Sequence, residues 1–188
     1  MQPLLLLLAF LLPPKTGTGN IIGGHEAKPH SCPYTVFVQF LLENKKKRCG
    51  GVLVLEDFVL MAAHCWGRVI SVTLGVHNIQ KQGKTQQVMT VRQAIRHPDY
   101  NPKNLSYDIM LLKLERKAQQ TAAVRPLSLS RGKTQGDSGG PLICNKLFQG
   151  ILSYGENNGN PPGVFMKVSQ FLPWIKSTMK RFQQQAGR

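Results

Sequence analysis

From Tyr34 onward the chain alternates short apolar runs with polar and glycine-rich punctuation. Residues 36–41 read as a strand, 45–48 as a polar turn, and 52–55 and 58–61 as two further apolar strands. Residues 70–74 alternate apolar and polar, as a half-buried strand does, and 88–91 and 109–114 complete the set. About six strands within 34–115 suit one closed antiparallel barrel. Beyond residue 120 the strand signals thin to 141–144, 148–154 and 163–168. Residues 169–184 change period. Phe171, Leu172, Ile175, Met179 and Phe182 share one face of a helix, Ser169 is placed to cap its start, and Lys176, Lys180 and Arg181 suit its C-terminal end. This amphipathic helix is expected to pack on the first barrel, with 183–188 as a frayed tail.

The other long apolar run is 4–12, too short to span a bilayer. It reads as the core of a signal peptide, although no positive residue precedes it. Pro13-Pro14 ends the run, which disfavours a buried core helix, and Gly17-Thr18-Gly19 offers a cleavage site. The expected division is a signal peptide over 1–18, a two-residue propeptide at 19–20, and one domain over 21–188. Within that domain a first barrel covers 21–120, an incomplete second barrel 121–168 and the helix 169–184. No other segment is long and apolar enough to span a membrane, so an exported, soluble protein is expected.

Charge adds a second theme. Lys and Arg number 24 against 9 Asp and Glu, a net charge of +15. Losing 1–20 would remove Lys15 and no acid, leaving +14. The clusters are Lys45-Lys46-Lys47-Arg48, Arg116-Lys117 and the stretch from Lys176 to Arg181. Such a balance favours anionic partners such as proteoglycans. No nucleic-acid motif accompanies it, so no specific nucleic-acid partner is expected; a solvated basic face is the plainer alternative. Cys32, Cys49, Cys65 and Cys144 allow three disulfide connectivities, among which spacing does not choose. No Cys–His spacing fits a zinc site, and no cofactor is implied.

The candidate chemistry centres on Gly136-Asp137-Ser138-Gly139-Gly140-Pro141. Glycines let a backbone turn tightly and approach a ligand. Such a turn can present Ser138 Oγ outward while the N–H groups of Gly136 and Ser138 aim at one point, an oxyanion hole for acyl transfer. The alternative is a surface turn with a passive serine. A nucleophilic serine needs a base and an acid to orient it. Ala62-Ala63-His64-Cys65 follows an apolar run and Asp108 opens another, giving the order His, Asp, Ser, one of the known orders for a hydrolytic triad. Asp108 would fix the tautomer of His64, which would take the Ser138 proton.

These segments, with Ile21-Ile22-Gly23-Gly24 near the start, resemble the chymotrypsin-like serine proteases, and in detail the granzyme branch. Tyr100-Asn101-Pro102-Lys103-Asn104 and Trp174-Ile175-Lys176 share that likeness. The resemblance implies an all-β fold, a chymotrypsin-like antiparallel double β-barrel with a C-terminal helix, acting as a monomer on protein substrates. It implies a secretory zymogen, stored in cytotoxic granules or secreted, whose freed Ile21 ammonium pairs with Asp137. It favours a Cys49–Cys65 disulfide bracing the His64 segment. Cys32 and Cys144 are left as free thiols or as a pair outside the family pattern. Ser153-Tyr154-Gly155 resembles the edge where substrate backbone pairs as a strand. Gly163 would leave an open, uncharged pocket suited to a large apolar or aromatic residue. Asn104-Leu105-Ser106 is a glycosylation sequon in a polar loop.

One departure qualifies the resemblance. Only 29 residues separate Asp108 from Ser138. Related proteases carry roughly sixty more there, since a second six-stranded barrel needs on the order of sixty-five residues, and 120–168 supplies 49. The second barrel is therefore expected to be truncated, and the abrupt Gln135-Gly136 junction reads as a skipped exon. The sequence thus predicts a serine endopeptidase whose missing stretch bears on activity. A catalytically inactive basic protein binding glycosaminoglycan or other polyanions is the alternative.

Overall fold

The computed structural model describes residues 28–78, 83–129, 141–144, 147–154 and 164–186. Its centre is a closed barrel of six strands, β1 (Thr35–Leu42), β2 (Lys45–Leu55), β3 (Phe58–Met61), β4 (Arg68–Leu74), β5 (Gln87–Arg96) and β6 (Met110–Leu114). They run in the order β1-β2-β3-β6-β5-β4, and β4 returns to pair with β1. A smaller antiparallel sheet, β7 (Pro141–Cys144), β8 (Leu147–Tyr154) and β9 (Val164–Lys167), lies beyond it. The chain ends in α1 (Val168–Ala186). The all-β class, the antiparallel barrel and the terminal helix follow the sequence expectation. Among the described residues the second unit has three strands.

Alternation builds the barrel interior. Val36, Val38 and Phe40 of β1 point inward, and Val36 and Val38 oppose Leu74 and Val72 of β4, all four buried. In β3 and most of β6 the alternation gives way to continuous burial. Both faces of these strands are covered, which is why β3 is wholly apolar and β6 is apolar but for Lys113, whose ammonium pairs with Asp57. The cover comes partly from the segment after β6, where Leu127 N–H donates to Leu53 O at 2.8 Å and Ala118 N–H to Glu56 O at 2.7 Å. It comes partly from α1, whose Val168, Phe171, Leu172 and Ile175 are buried in the same core. Phe182 meets Phe58 edge-on, and Phe171 and Trp174 pack on His97.

Two sequence expectations need correction. Residues 45–48 are not a turn. The hairpin reverses at Glu43 and Asn44, with φ of 50° and 63°, and Lys45 through Arg48 pair with Leu42 through Gln39. Two successive left-handed residues make the short hairpin turn whose twist matches that of the flanking strands, so the lysines decorate an exposed strand. The helix begins at Val168, running straight on from β9, so Ser169 lies inside its first turn, and the last turn carries no basic residue.

Candidate active site

Barrel register brings two of the sequence-identified residues together. Met61 at the end of β3 pairs with Met110 at the start of β6. A short 3₁₀ turn, Ala63–Cys65, follows β3, and Asp108 precedes β6 by two residues, so His64 and Asp108 meet at one barrel end. Asp108 Oδ1 accepts from the His64 backbone N–H at 2.8 Å, and Asp108 Oδ2 lies 2.7 Å from His64 Nδ1. Ser153 of β8 donates its hydroxyl to the same Oδ2 at 2.5 Å. The carboxylate is fully buried, whereas the His64 side chain is 38% exposed.

The electrostatics follow from these contacts. Burial alone would raise the Asp108 pKa. Hydrogen bonds from the His64 ring, the Ser153 hydroxyl and the His64 amide, with attraction to His64, outweigh that and hold it below the ordinary carboxylate value. Asp108 is therefore an anion over the neutral range. It engages His64 at Nδ1 and leaves Nε2 as the free nitrogen, the tautomer a general base requires. Nε2 lies 3.3 Å from Cys65 Sγ.

The structure joins Cys49 and Cys65 in a disulfide with Cα atoms 6.3 Å apart, tying β2 to the His64 turn. Cys32 is free and exposed. It sits beside Tyr34, whose hydroxyl pKa burial and the neighbouring thiol push up to about 12. A cavity of about 610 Å³ opens beside the dyad, lined by Phe37, Arg48, Cys49, His64, Val76, Ile151 and Ser153 among others. In the polar loop, Asn104 Oδ1 accepts from Ser106 N–H and Oγ–H at 3.1 and 2.6 Å, and Asn104 is exposed.

Ile21, Gly136, Asp137, Ser138, Gly155 and Gly163 lie outside the described residues, as do the side chain of Cys144 and the segments 1–27 and 130–140. Tyr154 is 48% exposed at the end of β8. Sequence reasoning placed Ser153 only on a substrate-binding edge and missed its hydrogen bond to Asp108. A contact across 45 residues between two sheets leaves no local signal.

A complete antiparallel barrel carrying a buried, ionised aspartate against a histidine is the framework of a chymotrypsin-like hydrolase. The chain matches the Trypsin family over residues 21–135 and 130–175. It is 50% identical to granzyme H of Homo sapiens over 245 aligned positions, covering 96% of this chain and 100% of that protein. It is 46% identical to granzyme B of Homo sapiens, with 97% and 100% covered. A solved structure described as "Structure of GrC" superposes with a TM-score of 0.78 at 40% identity, covering 84% of this chain and 99% of that one. The chain belongs to the trypsin family of serine endopeptidases.

Proposed function

We propose that this chain is a granzyme-type serine endopeptidase made as a secretory zymogen, with Ser138 as nucleophile, His64 as general base and Asp108 as its orienter. His64 Nε2 takes the Ser138 proton as Oγ attacks the scissile carbonyl, and returns it to the leaving amine. The N–H groups of Gly136 and Ser138 hold the oxyanion, and water then hydrolyses the acyl-enzyme. Freed Ile21 pairs with Asp137 to set the oxyanion turn, because a buried carboxylate requires a charge partner. Ser153, Tyr154 and Gly155 offer an edge to the substrate backbone, and Gly163 leaves room for a large apolar or aromatic side chain. Storage in a cytotoxic granule or secretion fits the kinship to granzymes.

The observation that carries this reading is the buried Asp108 carboxylate held by three donors, with its partner histidine exposed on a cavity wall. A deletion of roughly sixty residues before Gly136 is supported by the 245-position alignment of this 188-residue chain. The two blocks of the family match, which meet at 130–135, support it too. The test is labelling by a fluorophosphonate of chain trimmed to begin at Ile21, with Ser138→Ala and denatured controls. Label on Ser138 in the native sample alone is expected. A monomeric, cooperatively folded sample that never labels overturns the proposal.

One observation favours a second reading, a non-catalytic polyanion binder. Lys45, Lys46, Lys47 and Arg48 are all exposed on β2, and Arg68 pairs opposite Leu41 on the next strand, so five cations share one barrel end. Salt-sensitive heparin retention without labelling would support it.

A further inference from the structure

Three metal-ligand atoms converge on the wall of the cavity beside the dyad. Cys49, His64 and Cys65 each offer one within 4.8 Å of the others, and all three line the cavity. His64 Nδ1 is committed to Asp108, so Nε2 is the nitrogen turned toward the sulfurs, at 3.3 Å from Cys65 Sγ. Ligands at about 2.0–2.3 Å from a tetrahedral zinc ion stand about 3.5 Å apart, so that separation already suits a shared ion. The Asp108 contact supplies what zinc-bound histidines ordinarily have, a carboxylate on the other ring nitrogen that fixes tautomer and orientation. What prevents coordination is the bond between the two sulfurs.

We propose that reduction of Cys49–Cys65 turns this corner into a Cys₂His zinc site that captures His64 Nε2. A dithiol reductant supplies two electrons and two protons. Its own S–S bond forms, the Cys49–Cys65 bond breaks, and two thiols result. Zn²⁺ then displaces both thiol protons to solvent and takes two Zn–S bonds and one Zn–N bond. The fourth position faces the cavity and takes water, the arrangement of a three-ligand zinc site. Both cysteines stay in place after reduction because the scaffold holds them. Cys49 is paired opposite Val38 within the barrel, and the His64–Cys65 turn is anchored by the His64 amide on Asp108. No zinc spacing is visible along the chain, because His64 and Cys65 are adjacent and Cys49 is brought in by the barrel and the disulfide. Metal binding stands on its own. That it would silence the enzyme, by occupying the nitrogen that receives the serine proton, rests on the proposed function.

The test uses full-length chain carrying Cys32→Ser, Cys144→Ser and Ser138→Ala, reduced with a dithiol and freed of it without oxygen. Titration with Co²⁺, followed by sulfur-to-cobalt charge-transfer absorption and displaced by Zn²⁺, should give one equivalent in reduced chain and none in oxidised chain. His64→Gln should weaken binding at least tenfold, and Asp108→Asn by about 10–100-fold. A folded, reduced chain that takes no metal overturns the proposal, as does unchanged affinity in His64→Gln. So does a chain that unfolds on reduction and does not regain its far-UV dichroism with Zn²⁺. Absence of fluorophosphonate labelling in oxidised, folded chain trimmed to begin at Ile21 would overturn the peptidase reading and leave this titration unaffected.

Discussion

Ser153→Ala removes one of three donors from a carboxylate that water does not reach. The Ser153 hydroxyl sits 2.5 Å from Asp108 Oδ2, and the two residues are 5% and 0% exposed. Alanine fits the same space, so the change is almost wholly electrostatic. A hydrogen bond to a charged group contributes about 1.5–3 kcal/mol. The variant should therefore lose about 2 kcal/mol at neutral pH, a fall in Tm of about 4–8 °C at this chain length. The loss has a pH signature. Asp108 has its pKa depressed in the folded protein, so its contribution is present above the ordinary value of 3.8 and is lost as pH falls through the depressed one. Removing a donor that favours the anion lets the folded pKa rise, so variant and wild type should converge as pH falls through the depressed value. Urea unfolding at pH 7, 5, 4 and 2.5 measures this directly. A serine that merely packs would give a change within about 0.5 kcal/mol. That result, or a deficit that does not shrink as pH is lowered from 7, would exclude this electrostatic role.

Other consequences follow from particular residues. Ile175→Ala empties a fully buried position on α1 and should cost about 2–5 kcal/mol, read as a lowered urea midpoint; a cost below about 1 kcal/mol would mean the helix is not docked on the barrel. Gly75 has φ of +68°, and an added Cβ would lie 2.3 Å from Thr85 O. Gly75→Ala should therefore destabilise by more than about 1 kcal/mol, seen in a thermal melt. His97 is enclosed by Tyr107, Phe171 and Trp174, and its Nδ1 accepts from Asp99 N–H. Burial lowers its pKa below 6.5, against a smaller opposing pull from Asp99. Its neutral form is thus favoured on folding, so stability should decline as pH falls from 6.5 through the depressed value. A ring titration by NMR with its midpoint at or above 6.5 would contradict this.

Legibility in the sequence tracked how local each signal was. The barrel could be read because Val36, Val38 and Phe40 alternate and because 58–61 and 109–112 are unbroken apolar blocks. The His64–Asp108 pairing could be read because a motif records it, not because anything in a separation of 44 positions encodes a distance. Polar strand ends were illegible. Residues 45–48 and 92–96 belong to β2 and β5 although their side chains are largely exposed, since backbone pairing, not burial, extends those strands. Ser169 signalled a cap that the helix does not use, because β9 feeds α1 without an intervening residue. Ser153 was hidden for the reason that makes it informative: its partner lies 45 residues away, just ahead of a strand of the other sheet.

The two sheets differ in what holds them. Six strands that close on themselves leave no unpaired edge, and His64 and Asp108 both rest on that closed unit. Among the described residues the three-stranded sheet has outer edges at β7 and β9. It also buries Gln149 Nε2 without a hydrogen-bond partner, which costs about 1–3 kcal/mol. Local opening should therefore begin in β7–β9 and reach the barrel last. The Ser153–Asp108 bond crosses that divide. Opening of β8 withdraws one donor from Asp108 while leaving both His64 contacts, so the dyad is held most firmly when the smaller sheet is folded. A barrel that binds His64 and Asp108 by itself, and a sheet that tightens them through one hydroxyl, make dyad geometry a reporter on the weaker half of the molecule. Hydrogen exchange at Ile151 and Leu152 faster than at Leu111 and Leu112, with the gap widened by Ser153→Ala, is the outcome this coupling requires.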